Sequence, residues 1–105
     1  MTTFDKREEG FENKFAHDEE LKFKAEARRN KLLGLWAAEK LGITGDAATA
    51  YAREVVAADF EEAGDVLHKV LGDLSAKDVA ITEAEIRSKM DELMALAIIQ
   101  VKAGT

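Results

Sequence analysis

The residues able to do acid–base, metal or nucleophilic chemistry are few and scattered in this sequence. The two histidines, His17 and His68, stand 51 positions apart, and neither has a serine arranged beside it as a nucleophile. There is no cysteine, which excludes a thiolate nucleophile, a disulfide framework and a cysteine-ligated metal site. Calcium-loop and phosphate-loop motifs do not occur. The sequence therefore predicts no catalytic site and no cofactor, and we expect a binding protein rather than an enzyme.

A run of possible metal ligands, His-Asp-Glu-Glu, occupies residues 17–20. Neighbouring positions on a helix point in different directions, so these four side chains would not converge on one ion. Acidic residues are also favoured in the first turn of a helix, where they face the positive end of its dipole. We interpret the run as a solvated helix start and expect no bound metal. His68, between Leu67 and Lys69, is expected on the protein surface.

The chain has one basic cluster, Arg-Arg-Asn-Lys at residues 28–31. Arg28, Arg29 and Lys31 have the chemistry to contact an acidic partner or a phosphate. The interpretation that we favour is a solvated helix face, partly neutralised by Glu26. The cluster nevertheless leaves an alternative function open, namely a helical bundle that binds a nucleotide or another small ligand.

An aromatic pattern near the N-terminus is the most specific feature of the sequence. Four of the five phenylalanines lie within the first 23 residues, where half of the positions in 1–24 are charged. Phe4, Phe11 and Phe15 are spaced by seven and four residues, so a helix would place them on one stripe. Such a stripe is typical of an amphipathic helix that enters a groove on a partner. The alternative is a stripe that packs back as extra core, but the aliphatic residues of a covering segment are nearly absent.

The elements that position these residues follow from hydrophobic periodicity. A segment as charged as the N-terminal one buries too little surface to fold alone. We therefore predict a flexible docking arm, residues 1–18, that is helical when bound, and a four-helix domain, residues 19–105. The first stable helix should begin near Asp18 and end at Gly42, a residue suited to a left-handed stop. Gly34, inside that helix, predicts a close approach by a second helix.

Three further amphipathic segments follow with short connections. The second should run from Thr44 or Asp46 to about Glu62, and Asp65 can begin the third. The fourth has the clearest start signal, a capping box at 82–85. The chain has no proline and only seven glycines, too few for many hairpins. The predicted fold is all-α, a small and irregular four-helix bundle, with Trp36 at the centre of the core. On the second helix, residues 52, 56 and 60 share one apolar face, and residues 51, 55 and 58 adjoin it.

Charge and hydropathy restrict the partner and the compartment. A net charge of −6 argues against nucleic acid as a partner. The longest apolar run, residues 93–99, is far shorter than the roughly 18 residues that span a bilayer. Met1 is followed by polar residues rather than by the apolar core of a signal peptide. We expect a cytoplasmic protein with no direct membrane insertion, monomeric when free.

Residues 4–39, FDKREEGFENKFAHDEELKFKAEARRNKLLGLWAAE, closely resemble the ATPase-inhibitor zeta-subunit family of bacterial F-type ATP synthases. Residues 50–62, AYAREVVAADFEE, and 86–93, IRSKMDEL, are also similar to that family. The resemblance spans essentially the whole chain, and its first block is long and unusual in composition.

The resemblance implies a four-helix protein that contacts the alpha, beta and rotor subunits of the synthase head, peripherally on its cytoplasmic side. Its N-terminal segment would be flexible when free and helical inside a catalytic alpha/beta interface, where it blocks rotation in the hydrolysis direction. The family implies only the segment. From the residue pattern we expect Phe4, Phe11 and Phe15 to anchor the arm, and Arg7 and Lys14 to pair with carboxylates on the partner. A cytoplasmic adaptor for another protein partner remains the second alternative.

Overall fold

The computed structural model describes the backbone of residues 2–61 and 65–104, and the side chains of residues 19–59, 61 and 66–104. Within these ranges there are four α-helices and no strand, which confirms the all-α four-helix class. The helices are α1 (Thr2–Leu41), α2 (Gly45–Glu61), α3 (Asp65–Ala76) and α4 (Glu83–Lys102). α1 begins at Thr2 rather than near Asp18, so one helix of 40 residues contains both the arm and the first part of the bundle. The flexibility expected for residues 1–18 stays a prediction. The side chains of these residues lie outside the described ones.

α1 ends as the sequence predicts, at a glycine in the left-handed region. Gly42 has φ of 76°. Its N–H donates to the carbonyl of Glu39 at 3.1 Å, and the N–H of Ile43 donates to the carbonyl of Ala38 at 2.9 Å. This pair of hydrogen bonds satisfies two carbonyls that the last turn would leave without partners, and it turns the chain toward α2.

The close helix approach predicted at Gly34 is present between α1 and α2. A β-carbon built on Gly34 would lie 2.6 Å from the Cα of Ala52 and 3.3 Å from a methyl group of Val55. The backbones of the two helices therefore touch at this point, and no side chain larger than hydrogen fits between them. The crossing fixes α2 against the middle of α1.

The core lies along the C-terminal half of α1, where the other three helices meet it. Its members come from all four helices, and Trp36, which we expected at the centre, packs only on its edge with Lys40 and Lys89 at 5.1 and 5.8 Å from the ring. On α2, Ala52 and the adjoining Val55 are buried, whereas Val56 is only partly so. The largest fully buried apolar side chains are Leu33, Val55, Val66, Val70, Leu74 and Ile86.

The α3–α4 connection contains a left-handed residue that the sequence did not predict and a helix start that it did. α3 ends at Ala76, two residues before Asp78, which has φ of 61°. The N–H of Val79 donates to the carbonyl of Leu74 at 2.9 Å. α4 starts at the predicted capping box, since the hydroxyl of Thr82 accepts from the N–H of Glu85 at 3.1 Å. No helix in the described parts of the chain is long and apolar enough to cross a membrane.

Candidate partner-binding surfaces

The five predicted arm contacts all belong to the N-terminal half of α1, whose backbone is helical. The side chains of Phe4, Arg7, Phe11, Lys14 and Phe15 lie outside the described ones. Their proposed roles therefore rest on spacing along the helix. The structure adds that the arm and the basic cluster are parts of the same helix, which is continuous from Thr2 to Leu41.

α1 is held in the bundle by the part that follows the arm. Buried positions on it begin at Ala25, which is 2% exposed, and continue through Leu33, Ala37 and Ala38, which are fully buried. These small or branched side chains bring α2 and α4 close to α1 on two sides. The result is a helix whose C-terminal half is clamped inside a folded domain.

The three residues of the basic cluster have different surroundings. Arg28 is half-buried, and its Nη1 donates to Oε1 of Gln100 at 2.9 Å, which joins α1 to the C-terminal part of α4. Arg29 turns toward the neighbouring Asn30 instead, and its Nε donates to Oδ1 of that residue at 3.0 Å. Lys31 is exposed. The cluster is therefore not a single patch, because two of its members make contacts inside the fold.

Asn30 is a buried polar residue that the sequence analysis did not single out. Only 1% of it is exposed, and its Nδ2 donates to Oδ2 of Asp59 on α2 at 3.2 Å. With the bond from Arg29, the amide is satisfied on both of its polar atoms. A buried amide that lost these partners would cost about 1–3 kcal/mol. Asn30 thus fixes the pairing of α1 with α2.

A basic groove, about 590 Å³ in volume, brings two of the three cluster residues together with a third cation. Arg28 and Lys31 line it with Lys24, whereas Arg29 does not. Lys24 also forms an exposed ion pair with Glu20 at 3.4 Å, which offsets part of its charge. The basic groove is lined by Lys24, Ala27, Arg28, Lys31, Val56, Val101 and Gly104.

A second depression, the apolar groove, lies between α1 and α4 and was not predicted from the sequence. It has a volume of about 420 Å³, and it adjoins the basic groove because Val101 lines both. Two lysines stand among its otherwise apolar lining. The apolar groove is lined by Leu21, Lys22, Ala25, Met94, Ile98, Val101 and Lys102.

A polar cluster joins α2 to α3. The hydroxyl of Tyr51 donates to Oδ2 of Asp73 at 2.8 Å, and Nζ of Lys69 lies 3.1 Å from the same oxygen and 5.3 Å from the tyrosine ring. Burial of the ring, followed by the hydrogen bond and the negative charge of Asp73, raises the pKa of Tyr51 well above its usual range. The hydroxyl is thus a fixed donor at neutral pH, and the cluster is structural.

The described residues contain no group of three or more side chains that could hold a metal ion. His68 is on the surface as expected, whereas the interpretation of His17 concerns a side chain outside the described ones. The candidate binding surfaces among the described residues are therefore the basic groove and the apolar groove. Both are lined by α1 residues that follow the arm in the sequence.

Comparison with known proteins identifies the family. The family model for ATPase inhibitor subunit zeta matches residues 1–100. The chain belongs to this family. Because the match begins at residue 1, the arm is part of what the zeta family shares. Membership indicates a regulatory inhibitor of an ATPase, and the family name implies interaction with an ATP synthase.

A solved structure has the same fold. It is a solution NMR structure of a protein 59% identical to this chain, with a TM-score of 0.70, and the similarity covers 81% of this chain and 99% of the other. No curated protein matches the chain. The fold is therefore shared with a related protein of known structure.

Proposed function

We propose that this chain inhibits ATP hydrolysis by an F-type ATP synthase by inserting its N-terminal arm into a catalytic alpha/beta interface. The inserted arm blocks rotation in the hydrolysis direction, and the bundle sits peripherally on the cytoplasmic head. The observation that carries the proposal is the zeta-family match over residues 1–100, which includes an arm with three phenylalanines at helical spacing.

The continuity of α1 supports a mechanical role. One helix of 40 residues contains both the arm and the segment clamped by α2 and α4. At 1.5 Å per residue, 18 residues of helix extend about 27 Å, long enough to reach into a subunit interface. A load on the arm passes directly into the folded domain, because no loop interrupts the helix.

The energetics require both parts of the molecule. Burial of each phenylalanine contributes about 1.5–3 kcal/mol. Ordering a flexible segment on binding consumes about 2–5 kcal/mol of that gain. Three rings alone therefore leave a modest net affinity. Polar contacts from Arg7 and Lys14, together with contacts from the bundle, supply the remainder.

ATP hydrolysis by the isolated catalytic head, with and without this protein, tests the proposal. The full chain should inhibit hydrolysis, and a chain lacking residues 1–17 should not. Lys77→Glu is a suitable control in the full chain, because Lys77 is exposed in the α3–α4 connection, far along the sequence from the arm. Inhibition by the truncated chain, or none by the full chain, would contradict the proposal.

The basic groove favours nucleotide binding as a second candidate function. It places Lys24, Arg28 and Lys31 around a partly apolar floor, a combination suited to phosphates and a base. Titration with ATP or ADP, followed through the amide shifts, would locate such a site. Shifts confined to the arm, with none at these three residues, would exclude this candidate.

A further inference from the structure

We propose that the apolar groove is a second docking surface, which receives an acidic amphipathic helix of the ATPase partner. The proposal rests on the proposed function and extends the interface from the arm onto the bundle. Its basis is the combination, at one place on α1 and α4, of an apolar floor, a cationic rim and one exposed aliphatic side chain, Ile98.

The floor of the groove is apolar on both sides. Leu21 and Ala25 line it from α1, and Met94, Ile98 and Val101 line it from α4. Because these residues are three or four positions apart, they share one face of each helix, and the side chains of a third helix can pack between them. A floor of this kind provides the hydrophobic part of a helix-in-groove interface.

One exposed large apolar side chain, Ile98, lies in the floor of the groove. The other described ones, Phe23, Leu96 and Ile99, do not line it. Ile99 is 65% exposed, Leu96 42% and Ile98 40%. Aliphatic side chains clustered this way on a folded protein mark an interaction surface more often than scattered ones do. α4 therefore presents apolar surface that its own bundle does not cover.

The rim selects the charge of the occupant. Lys22 and Lys102 line the apolar groove, and beyond Val101 the basic groove adds Arg28 and Lys31. Cations are concentrated along this line, although the whole chain has a net charge of −6. Complementary charge raises the association rate and disfavours basic or neutral partners. The occupant is therefore an acidic amphipathic helix.

The register of α1 connects the groove to the arm. Positions 11, 18 and 25 are seven apart, so on one continuous helix they share a face. The face that carries Phe11 in the sequence thus leads to Ala25 in the floor of the groove. A partner surface that grips the arm along this face continues into the groove, which assigns the occupant to the same ATPase.

The test measures the affinity of full-length variants for the catalytic head. In Lys22→Glu/Lys102→Glu the rim is reversed, and in Ile98→Gln the floor loses a branched apolar side chain. The control is Lys77→Glu/Arg87→Glu, which changes net charge equally at exposed positions away from the groove. The control breaks the ion pair of Arg87 with Glu83, which is exposed and contributes little.

Rim reversal should weaken Kd about tenfold at low salt and less at high salt, because exposed charges are screened. Ile98→Gln should weaken Kd about tenfold at either salt concentration. The control should stay within about twofold. Circular dichroism melting of each variant verifies that the bundle is intact.

The outcomes separate this proposal from the proposed function. If the wild-type chain inhibits the head while both groove variants bind as well as it does, the groove proposal is wrong and the proposed function stands. If the wild-type chain fails to bind the head, both are wrong. If the groove variants alter self-association in analytical ultracentrifugation and leave Kd for the head unchanged, the occupant is a second copy, which also overturns the proposal.

Discussion

At the scale of single residues, two helical glycines have opposite surroundings. A β-carbon on Gly34 would meet the backbone of α2 at 2.6 Å, whereas one on Gly72 would meet nothing within 4 Å. Gly34→Ala gains about 1 kcal/mol of helix propensity but forces two backbones apart, so we expect a net loss of about 1–2 kcal/mol in the free energy of unfolding. Gly72→Ala gains helix propensity without a clash, so we expect the free energy of unfolding to rise by about 0.5–1 kcal/mol. Urea denaturation measures both.

The glycine pair also controls for the composition of the substitution, since the same atoms are added in both variants. Equal stabilisation of the two variants would mean that α1 and α2 are not in backbone contact at Gly34.

Tyr51 gives a pH-dependent prediction, because it is the single tyrosine of the chain. Its hydroxyl donates to Asp73 at 2.8 Å, and its pKa is raised in the folded state, first by burial and then by Asp73. The unfolded chain releases this proton near pH 10. The stabilising contribution is therefore fully present below about pH 10 and is lost as the pH rises from there toward the folded-state pKa.

Tyr51→Phe removes that contribution. We expect the variant to be about 1 kcal/mol less stable at neutral pH, since Asp73 is partly exposed and can be rehydrated. The difference between the two proteins should shrink above about pH 10. Denaturation over this range, with tyrosinate absorbance recorded in the wild type, provides the measurement. A difference that is independent of pH would show that the hydroxyl is not held in its neutral form.

Residue-level features were predictable where backbone geometry restricts the residue type. Gly34 and Gly42 signalled a close crossing and a helix stop, and both are present. Asn30 gave no signal, because its burial depends on Asp59, 29 positions away on another helix. Asn next to two arginines has the composition of a solvated face, and only the tertiary contact reverses that interpretation.

At the scale of elements, the end of α3 is the least favourable helix terminus described. Asp78 is the one described residue other than glycine with positive φ, and it carries a negative charge at the negative end of the helix dipole. Asp78→Gly should therefore stabilise the protein by about 0.5–1 kcal/mol. Lys77→Gly, one position earlier and outside the positive-φ region, should be neutral or destabilising.

Thermal unfolding of the two glycine variants, compared with the wild type, decides the point. If Lys77→Gly raised the melting temperature and Asp78→Gly did not, Asp78 would not be the residue in the left-handed region.

The limits of the helices could be predicted in part. The starts and stops with local chemistry, at Gly42 and Thr82, were correct, because capping is determined by a few adjacent residues. Periodicity indicated the apolar side of α2, but not that Ala52 and Val55, rather than Val56, lie against Gly34 of α1. Trp36 is not at the centre of the core, because its ring packs at an edge where Lys40 and Lys89 lie over it.

At the scale of the whole molecule, the arm and the bundle contribute different kinds of information. The family was predictable, because the resemblance depends on contiguous residues of unusual composition. The docking role of the arm stays a prediction. The two grooves were not predictable, because Leu21 and Lys22 meet Met94 and Ile98 only after folding. The sequence therefore predicted an interface at the N-terminal end of α1, whereas the structure adds a candidate surface that includes α4.

The arm phenylalanines provide a prediction about the whole molecule, since binding and stability should respond separately. Phe4→Ala, Phe11→Ala and Phe15→Ala each remove about 1.5–3 kcal/mol of burial on the partner, equivalent to about a 10- to 150-fold loss of affinity for the catalytic head. Phe23→Ala is the control within α1, because Phe23 lies beyond the arm and is 61% exposed. It should weaken inhibition least.

The same four variants distinguish a docking arm from a segment that covers the bundle. If the arm acts on the partner, the three alanine variants raise the concentration needed to inhibit hydrolysis and leave the free energy of unfolding within about 0.5 kcal/mol of the wild type. If the stripe is extra core, each substitution lowers the free energy of unfolding by about 3 kcal/mol or more, as for other buried phenylalanines. Inhibition assays and urea denaturation on one set of proteins therefore give opposite patterns for the two interpretations, and the second pattern would overturn the proposed function.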